Sequence, residues 1–588
     1  MMNNKAREIL NKFYGYDDFR KGQKQVVESL LSGKDTVAIM PTGAGKSICF
    51  QIPALIFSGV TLVISPLISL MKDQVDSLRE QGIAAVYINS SVSRAQLNEN
   101  LRDIAAGYYK IIYIAPERLT PEYLPESFNR LNISMIAIDE AHCLSQWGHD
   151  FRPSYRNILT FTNSLANRPL IGAFTATATP EVKDDIIKLL GLKQPAVFVT
   201  GFDRPNLYFS VLRGEDKDKF IIDYVQKHLS EAGIIYAGTR KDVEAIQALL
   251  SLKGIKAGRY HAGLTDEERN RAQEDFLYDN ISVIVATNAF GMGIDKPNVR
   301  YVIHYNMPRN IEAYYQEAGR AGRDGLPGEC ILLYSSRDTQ LQKYLIAESV
   351  ESEVRQQIEF GKLQAMVDYC HTPLCLRAFI MQYFGETDVE ATCDNCSNCK
   401  AEGELIDITI DAQKVLSCVY RMHERFGVKL IAEVLKGSKS AKLKQFNFER
   451  LSTYALMKER TLKQISDLIL RLAAMQYLTI TESQYPVVKL NKLSWQVLRG
   501  QKQVWQKMVV VKRAKVQSDL FEALRSVRRE LATKEQLPPY MIFSDATLTQ
   551  MASEKPNSLQ AMRNIKGVGV FKLNKYGEKF LAVIKQYG

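Results

Sequence analysis

Thr36-Val37-Ala38-Ile39-Met40-Pro41-Thr42-Gly43-Ala44-Gly45-Lys46-Ser47 decides how this chain is read. A short β-rich run leads into a glycine loop that closes on Gly-Lys-Ser, and a helical stretch follows. Glycines let backbone N–H groups turn inward onto phosphate, and the start of the helix adds its dipole. Lys46 reaches the β/γ-phosphates of a nucleotide, and Ser47 can hold Mg²⁺. Met40 stands where the usual pattern has its first glycine, so the strict motif is not met. The strand and the helix nevertheless fall where such a loop needs them.

Outward from this loop the pattern repeats. Thr61–Ser65, Ile111–Ile114 and Ile136–Ile138 read as further buried strands. So do Ile234–Tyr236, Val283–Ala286, Tyr301–His304 and Ile331–Tyr334. Continuous apolar strands separated by helix-length segments predict parallel sheets with helices on both faces. More than 300 residues of this pattern exceed one ordinary core, so two α/β lobes are expected, with a break near Gly201–Asn206. After Ser336 the chain becomes helical. A hairpin follows the helical stretch Leu462–Gln476, with Tyr477–Thr481 pairing Val487–Leu490 and Tyr485 at its tip. A charged segment runs through Lys512-Arg513-Ala514-Lys515, and the last stretch reads as a helical bundle.

Composition narrows the class. The chain has 588 residues, 46% hydrophobic and 24% charged, as ordinary globular proteins do. No run approaches the roughly 18 apolar residues of a membrane span, and Met1–Lys5 lacks a signal-peptide core. The charge is unevenly placed: residues 405–588 carry 32 Lys and Arg against 15 Asp and Glu, and residues 1–404 carry 44 against 50. A basic final third suggests a polyanion partner, nucleic acid first, or else a solvated basic surface.

Asp139-Glu140-Ala141-His142 directly follows the apolar strand Met135–Ile138. Carboxylates at the C-terminal end of a strand lie where an open α/β sheet binds ligands. Asp139 is the candidate for Mg²⁺, and Glu140 for orienting or deprotonating the attacking water. Two acids in a loop are otherwise simply solvated. In the second half, Arg320 and Arg323 are read as one helical turn apart, able to enter a lobe interface together as arginine fingers. The bland alternative pairs them on the surface with Asp324 or Glu329.

Five of the nine cysteines fall between Cys370 and Cys399. Clustering of that kind reads as metal binding in a reducing compartment. Cys393-x-x-Cys396-x-x-Cys399 with one donor upstream suits tetrahedral Zn²⁺, although an iron–sulfur cluster uses similar spacing. Cys370, His371 and Cys375 are the upstream donors available. Cys49, Cys143, Cys330 and Cys418 read as small buried hydrophobes.

Together these stretches resemble superfamily 2 helicases, and the RecQ helicases in particular. The resemblance rests on Phe19–Gln23, the P-loop, Asp139–His142, the aromatic-rich run Ala141–Pro153 and Thr175–Thr179. It continues through Tyr260–Leu264, Ala286–Asp295 and Gln316–Arg323. It implies adenine recognition by Gln23 with Tyr16 stacking and Arg20 beside it, phosphate contacts from Thr42, Gly43, Gly45, Lys46 and Ser47, and a catalytic set of Lys46, Asp139, Glu140, His142, Gln316, Arg320 and Arg323. It also implies Cys375 as the fourth ligand of a zinc site with Cys393, Cys396 and Cys399.

The domain order implied is two RecA-like lobes (1–203 and 204–340), a zinc-binding segment (341–404), a winged helix (405–500), a linker (501–517) and a helical HRDC bundle (518–588). The activity implied is ATP-dependent 3′→5′ unwinding of DNA in recombination and repair, with ATP, Mg²⁺ and Zn²⁺ as cofactors. Single-stranded and duplex DNA, including forks and junctions, are the implied substrates. A single-strand-binding protein, a topoisomerase and a bacterial cytoplasmic, nucleoid-associated setting come with the resemblance.

Candidate DNA contacts are Trp147, Phe151, Arg152, Tyr485, Tyr540 and Lys566, with Lys572 beside the last. Each has a bland counterpart: Trp147 as a cap on the lobe's core, Tyr485 as a turn aromatic, Tyr540 as bundle core. Two competing functions remain at this stage. An RNA helicase shares the P-loop and Asp-Glu-Ala-His, and a DNA-binding regulator could carry a vestigial ATPase.

Overall fold

The computed structural model describes residues 2–89, 92–120, 131–291, 296–350, 352–401, 403–507 and 519–587. Strands β1 (Thr36–Ile39), β2 (Val60–Ile64), β3 (Ala85–Ile88), β4 (Ile111–Ile114), β5 (Ile133–Ile138), β6 (Leu170–Thr175) and β7 (Ala196–Val199) form one sheet. It is wholly parallel, in the order β3-β4-β2-β5-β6-β1-β7. Val37 and Ile39 pack into one hydrophobic cluster, Ala38 and Met40 into another on the opposite face. A strand covered on both faces has no polar side to show, which is why it reads as a continuous apolar run.

The second sheet is built from β8 (Leu207–Arg213), β9 (Ala232–Tyr236), β10 (Ala257–Tyr260), β11 (Val283–Ala286), β12 (Val299–His304) and β13 (Gly328–Tyr334). It is also parallel, ordered β10-β11-β9-β12-β13-β8. The predicted strands are all present. Those the apolar pattern does not single out are mostly edges: β7 and β10 are only half-buried, and β10 spells Ala-Gly-Arg-Tyr.

The break at Gly201–Asn206 is a pinned connection. Phe202 is buried and stacks on Phe384 with centroids 4.4 Å apart. Arg377 pairs with Asp203 at 2.6 Å and donates to the Leu207 carbonyl at 2.7 Å. Both anchors belong to the zinc-binding segment, so that segment holds the two lobes at their joint.

The winged-helix region has its own core, in which Leu416, Ile431, Leu435, Ile469, Leu472 and Val488 meet. Its hairpin pairs β15 (Thr479–Ile480) with β16 (Val488–Lys489), inside the predicted pairing. β14 (Leu405–Asp407) pairs antiparallel with β17 (Trp505–Lys507). That strand lies within the stretch read as a linker, so the ordered region runs past residue 500. Lys512–Lys515 lies outside the described residues. The terminal bundle, Asp519–Gln586, packs around Leu524, Ile542, Phe543, Leu548 and Phe580.

Candidate active site and nucleic-acid interface

Past β1 the chain turns into the helix Lys46–Ile56. Met40 is fully buried and packs against Cys49, so the departure from the usual glycine is accommodated as core. Gly43 and Gly45 have φ of +83° and +79°, the left-handed region where a side chain is strained. A Cβ on Gly45 would also sit 2.5 Å from Gln23 Nε2. Gln23 Nε2 donates to the carbonyls of Ala44 (2.9 Å) and Gly45 (3.1 Å). Its Oε1 accepts from the Arg20 amide at 2.8 Å. The Arg20 guanidinium donates to the Gly43 carbonyl at 2.7 Å and lies 6.0 Å from the Tyr16 ring centre. Tyr16, Arg20 and Gln23 thus gather on the P-loop, with Thr42 buried beneath them.

In the order β5-β6-β1, the carboxylates and the P-loop emerge on either side of β6. Glu140 has φ +47°, uncommon outside glycine and costly to hold. The Asp139 carboxylate accepts the Glu140 amide at 2.9 Å. Glu140 Oε2 is 3.3 Å from His142 Nδ1, which in turn lies 2.8 Å from the Thr175 hydroxyl at the end of β6. Burial, and then repulsion by Glu140, push Asp139 well above the ordinary carboxylate range. Burial acts the same way on Glu140, but His142 beside it, Lys46 and His149 together outweigh that effect and hold Glu140 below the ordinary carboxylate range. Lys46 is close enough to favour the charged form of both. A lysine facing two acids, with Ser47 beside it, is a donor set that suits a nucleotide and a hard divalent cation.

The second lobe closes on this site. The helix Ile311–Ala318 ends before Arg320 and Arg323, which therefore lie in the following turn and not on a helix. A Cβ on Gly43 would meet the Arg323 backbone and side chain at 3.4 Å, so Arg323 sits on the P-loop. Arg320 is buried beside Tyr236. The acids offered as surface partners are engaged elsewhere: Asp324 pairs with Arg300 at 2.6 Å, and Glu329 accepts from Tyr224 at 2.9 Å.

Sequence reading missed Arg204. Its buried guanidinium donates to the Thr42 carbonyl at 2.5 Å and to those of Gly319 (3.2 Å), Ala321 (3.0 Å) and Gly322 (3.1 Å). It bridges the P-loop to the arginine-bearing turn. An arginine set between two lobes, beside Pro205, was the available signal.

The aromatic-rich loop connects the same parts. His149 stacks on His142 at 4.3 Å, and its Nε2 lies 3.1 Å from Gln316 Oε1 in the other lobe. Trp147 is 45% exposed, which does not fit a core cap. Gly148 is required, since a Cβ there would lie 2.2 Å from the His142 carbonyl. Phe151 is flanked by the guanidinium groups of Arg156 (5.3 Å) and Arg355 (5.4 Å). Arg152 is turned back onto Asp150 (3.0 Å) and the Pro66 carbonyl (3.0 Å), so it shapes the loop. Of Ala286–Asp295, residues 292–295 lie outside the described residues.

The sulfurs of Cys375, Cys393, Cys396 and Cys399 all lie within 4.8 Å of one another. Backbone N–H groups of Ala378, Asn395 and Cys399 donate to Cys375, Cys393 and Cys396 at 3.4 Å each, as thiolates binding a metal require. Hydrogen bonding from Cys375 lowers the Cys396 thiol from its ordinary range. Four thiolates at this spacing suit a closed structural zinc site. Cys370 and His371 are buried and lie outside that cluster.

At the hairpin tip, Tyr485 is 82% exposed. In the bundle, Lys566 is exposed, but two neighbours face the lobes. Tyr540 is partly buried against the main hydrophobic cluster. Burial lowers Lys572 to about 8, with Glu80 of the first lobe opposing it. Tyr278 of the second lobe donates to the Gln536 carbonyl at 3.1 Å. The bundle therefore touches both lobes.

Known families match this order. Residues 20–185 match the DEAD/DEAH box helicase model, 216–325 the helicase conserved C-terminal domain, 336–400 the RecQ zinc-binding model, 402–515 the RQC domain and 517–584 the HRDC domain. The ATP-dependent DNA helicase RecQ of Bacillus subtilis (strain 168) is 48% identical over 100% of this chain and 99% of its own. The RecQ of Pasteurella multocida (strain Pm70) is 40% identical over 99% and 94%. The ATP-dependent DNA helicase Q-like 2 of Arabidopsis thaliana is 32% identical over 99% and 83%. With its P-loop, its aromatic loop and its four-thiol cluster in the family's order, this chain belongs to the RecQ helicases.

Proposed function

We propose that the chain couples ATP hydrolysis to 3′→5′ movement along single-stranded DNA and so unwinds duplex, forked and branched DNA in recombination and repair. One observation carries the coupling. A single loop runs from Glu140 to an exposed Trp147 and, through His149, to Gln316 of the opposite lobe.

The geometry supports the following roles. Tyr16, Arg20 and Gln23 hold the base side of the P-loop, and Thr42, Gly43, Gly45, Lys46 and Ser47 hold the phosphates. Mg²⁺ held by Ser47 and Asp139 would offset the charge of the β/γ-phosphates. Glu140, kept ionised by His142, Lys46 and His149 together and fixed by its strained backbone, orients the attacking water. Arg320 and Arg323 bring positive charge to the developing γ-phosphoryl, and Gln316 reports the state of the loop to them. Zn²⁺ on Cys375, Cys393, Cys396 and Cys399 would stiffen the segment that pins Phe202 and Asp203.

On this reading the lobes span 1–203 and 204–340, followed by the zinc segment (341–404), winged helix (from 405), linker (to 517) and bundle (518–588). Trp147 and Phe151 meet unpaired bases, Tyr485 meets the duplex end and Lys566 meets phosphate. A single-strand-binding protein and a topoisomerase as partners, and a bacterial cytoplasmic setting on the nucleoid, rest on family membership alone. Among the described residues no helix is long and apolar enough to cross a membrane.

Strand displacement on a forked duplex, with the single-stranded tail on either end, tests activity and polarity together. Trp147→Ala tests the coupling. Stacking on a base contributes about 1–3 kcal/mol, so the ratio of DNA-stimulated to DNA-free ATP hydrolysis should fall at least several-fold, with melting temperature unchanged. Equal losses in both rates together with a lower melting temperature would return Trp147 to a packing role.

A further inference from the structure

The apex of the aromatic loop is held by another domain. The helix Glu353–His371 of the zinc segment presents Arg355 and Lys362 two turns apart. Lys362 Nζ donates to the Trp147 carbonyl at 2.5 Å. Arg355 donates to the Gln146 carbonyl and, at 3.4 Å, to that of Gly148. Three consecutive carbonyls are thus gripped from one helix face, and the grip is on backbone, so the Trp147 side chain stays free for a base.

Each gripping cation has a buried counter-ion. Lys362 pairs with Glu312 at 2.8 Å, and Arg355 with Glu359 at 3.3 Å. Both carboxylate side chains are only 3% exposed. Glu312 lies on the helix Ile311–Ala318, one turn before Gln316. Glu359 also pairs with Arg309 at 3.0 Å, just ahead of that helix. Two charge chains therefore run from the loop's apex to the start of the helix that leads into Arg320 and Arg323. A buried carboxylate that loses its partner is strongly destabilised. Movement of the loop is therefore felt at the helix instead of being absorbed by a side chain turning into solvent.

We propose that Lys362 and Arg355 are positioning residues for DNA-stimulated ATP hydrolysis, fixing the apex of the aromatic loop and transmitting its position through Glu312 and Glu359–Arg309 to the arginine-bearing turn. This rests on the reading of Trp147 as the DNA sensor. It assigns the zinc-binding segment a part in coupling as well as in joining the lobes.

The test compares Lys362→Ala, Lys362→Arg, Arg355→Ala and Trp147→Ala in the full-length zinc-loaded protein, titrated with an oligo(dT) single strand. Arg355→Ala leaves Glu359 paired with Arg309, so it gives a readable result even if Lys362→Ala fails to fold around an unpaired Glu312. The expected outcome is a fall of about five- to tenfold in the ratio of stimulated to DNA-free turnover, with zinc content unchanged and with Lys362→Arg recovering most of the ratio. A merely structural role would lower both rates together and would not be rescued by arginine, and that result overturns the proposal. A DNA-free rate rising to the stimulated level would also overturn it, because the grip would then be a latch. If Trp147→Ala loses stimulation while Lys362→Ala and Arg355→Ala keep the wild-type ratio, the sensor stands and the transmission falls. If Trp147→Ala keeps full stimulation, the sensor reading falls, and the transmission with it.

Discussion

The first lobe and the terminal bundle were both read from sequence as sites meeting phosphate, and the structure treats them differently. In the lobe the named residues converge: Gln23 and Arg20 hold P-loop carbonyls, and Lys46 faces Asp139 and Glu140. In the bundle they diverge. Lys566 is exposed, whereas Tyr540 and Lys572 are turned toward the lobes. Spacing constrains a buried cleft because loop, strand end and helix start must coincide. It does not constrain which face of a small helical bundle meets solvent, because a lysine suits either a phosphate or a carboxylate across an interface.

The sharpest way to break this contrast is Lys46→Ala. A lysine placed among phosphates in a closed cleft stabilises transferring charge, so turnover should fall by about a hundredfold or more. DNA affinity should change little, since the positive excess lies after residue 404. Near-normal turnover would mean that convergence of these residues in the cleft does not imply chemistry.

Cys396→Ala comes next and probes a second convergent cluster. Cys396 is fully buried, among four sulfurs and capped by the Cys399 amide. Structural zinc contributes folding energy directly. The variant should lose its zinc and become protease-sensitive, with the joint at Phe202 and Asp203 loosened, because Phe384 and Arg377 belong to the same segment. Metal analysis finding iron in the parent protein, or full stability in the variant, would remove the assignment.

These outcomes bear on what the sequence made legible. Both parallel sheets followed from apolar runs, since strands covered on both faces must be apolar throughout. The edge strands β7 and β10 did not, because half-exposed edges carry mixed residues. The P-loop, Asp139, Glu140 and the four cysteines have spacing set by local geometry and could be named in advance. Arg204, Arg355 and Lys362 could not, because each acts on carbonyls 115 to 215 residues away, and a carbonyl leaves no mark in a sequence. Along Glu353–His371, Arg355 and Glu359 look like an ordinary solvated i,i+4 pair, although Glu359 is buried.

The smallest expected effect separates two lysines six residues apart. The bundle's own charge is modest: residues 519–588 carry 11 basic against 7 acidic residues, while 405–518 carry 21 against 8. Any DNA contact made by the bundle is therefore a matter of a few phosphates. Each phosphate neutralised adds about 0.7 to 0.9 to the slope of log affinity against log salt. If Lys566 meets DNA, Lys566→Ala should lower that slope by about 0.7 to 0.9 and weaken binding evenly across sequences. Lys572 faces Glu80, and burial has already depressed its pKa to about 8. Lys572→Ala should leave the slope where it was and instead loosen the bundle from the first lobe, seen as faster proteolytic release of the bundle. Equal slope changes for the two variants would show that the bundle leaves the lobes to bind DNA, and the contrast between a fixed cleft and a docked bundle would then describe only the DNA-free protein.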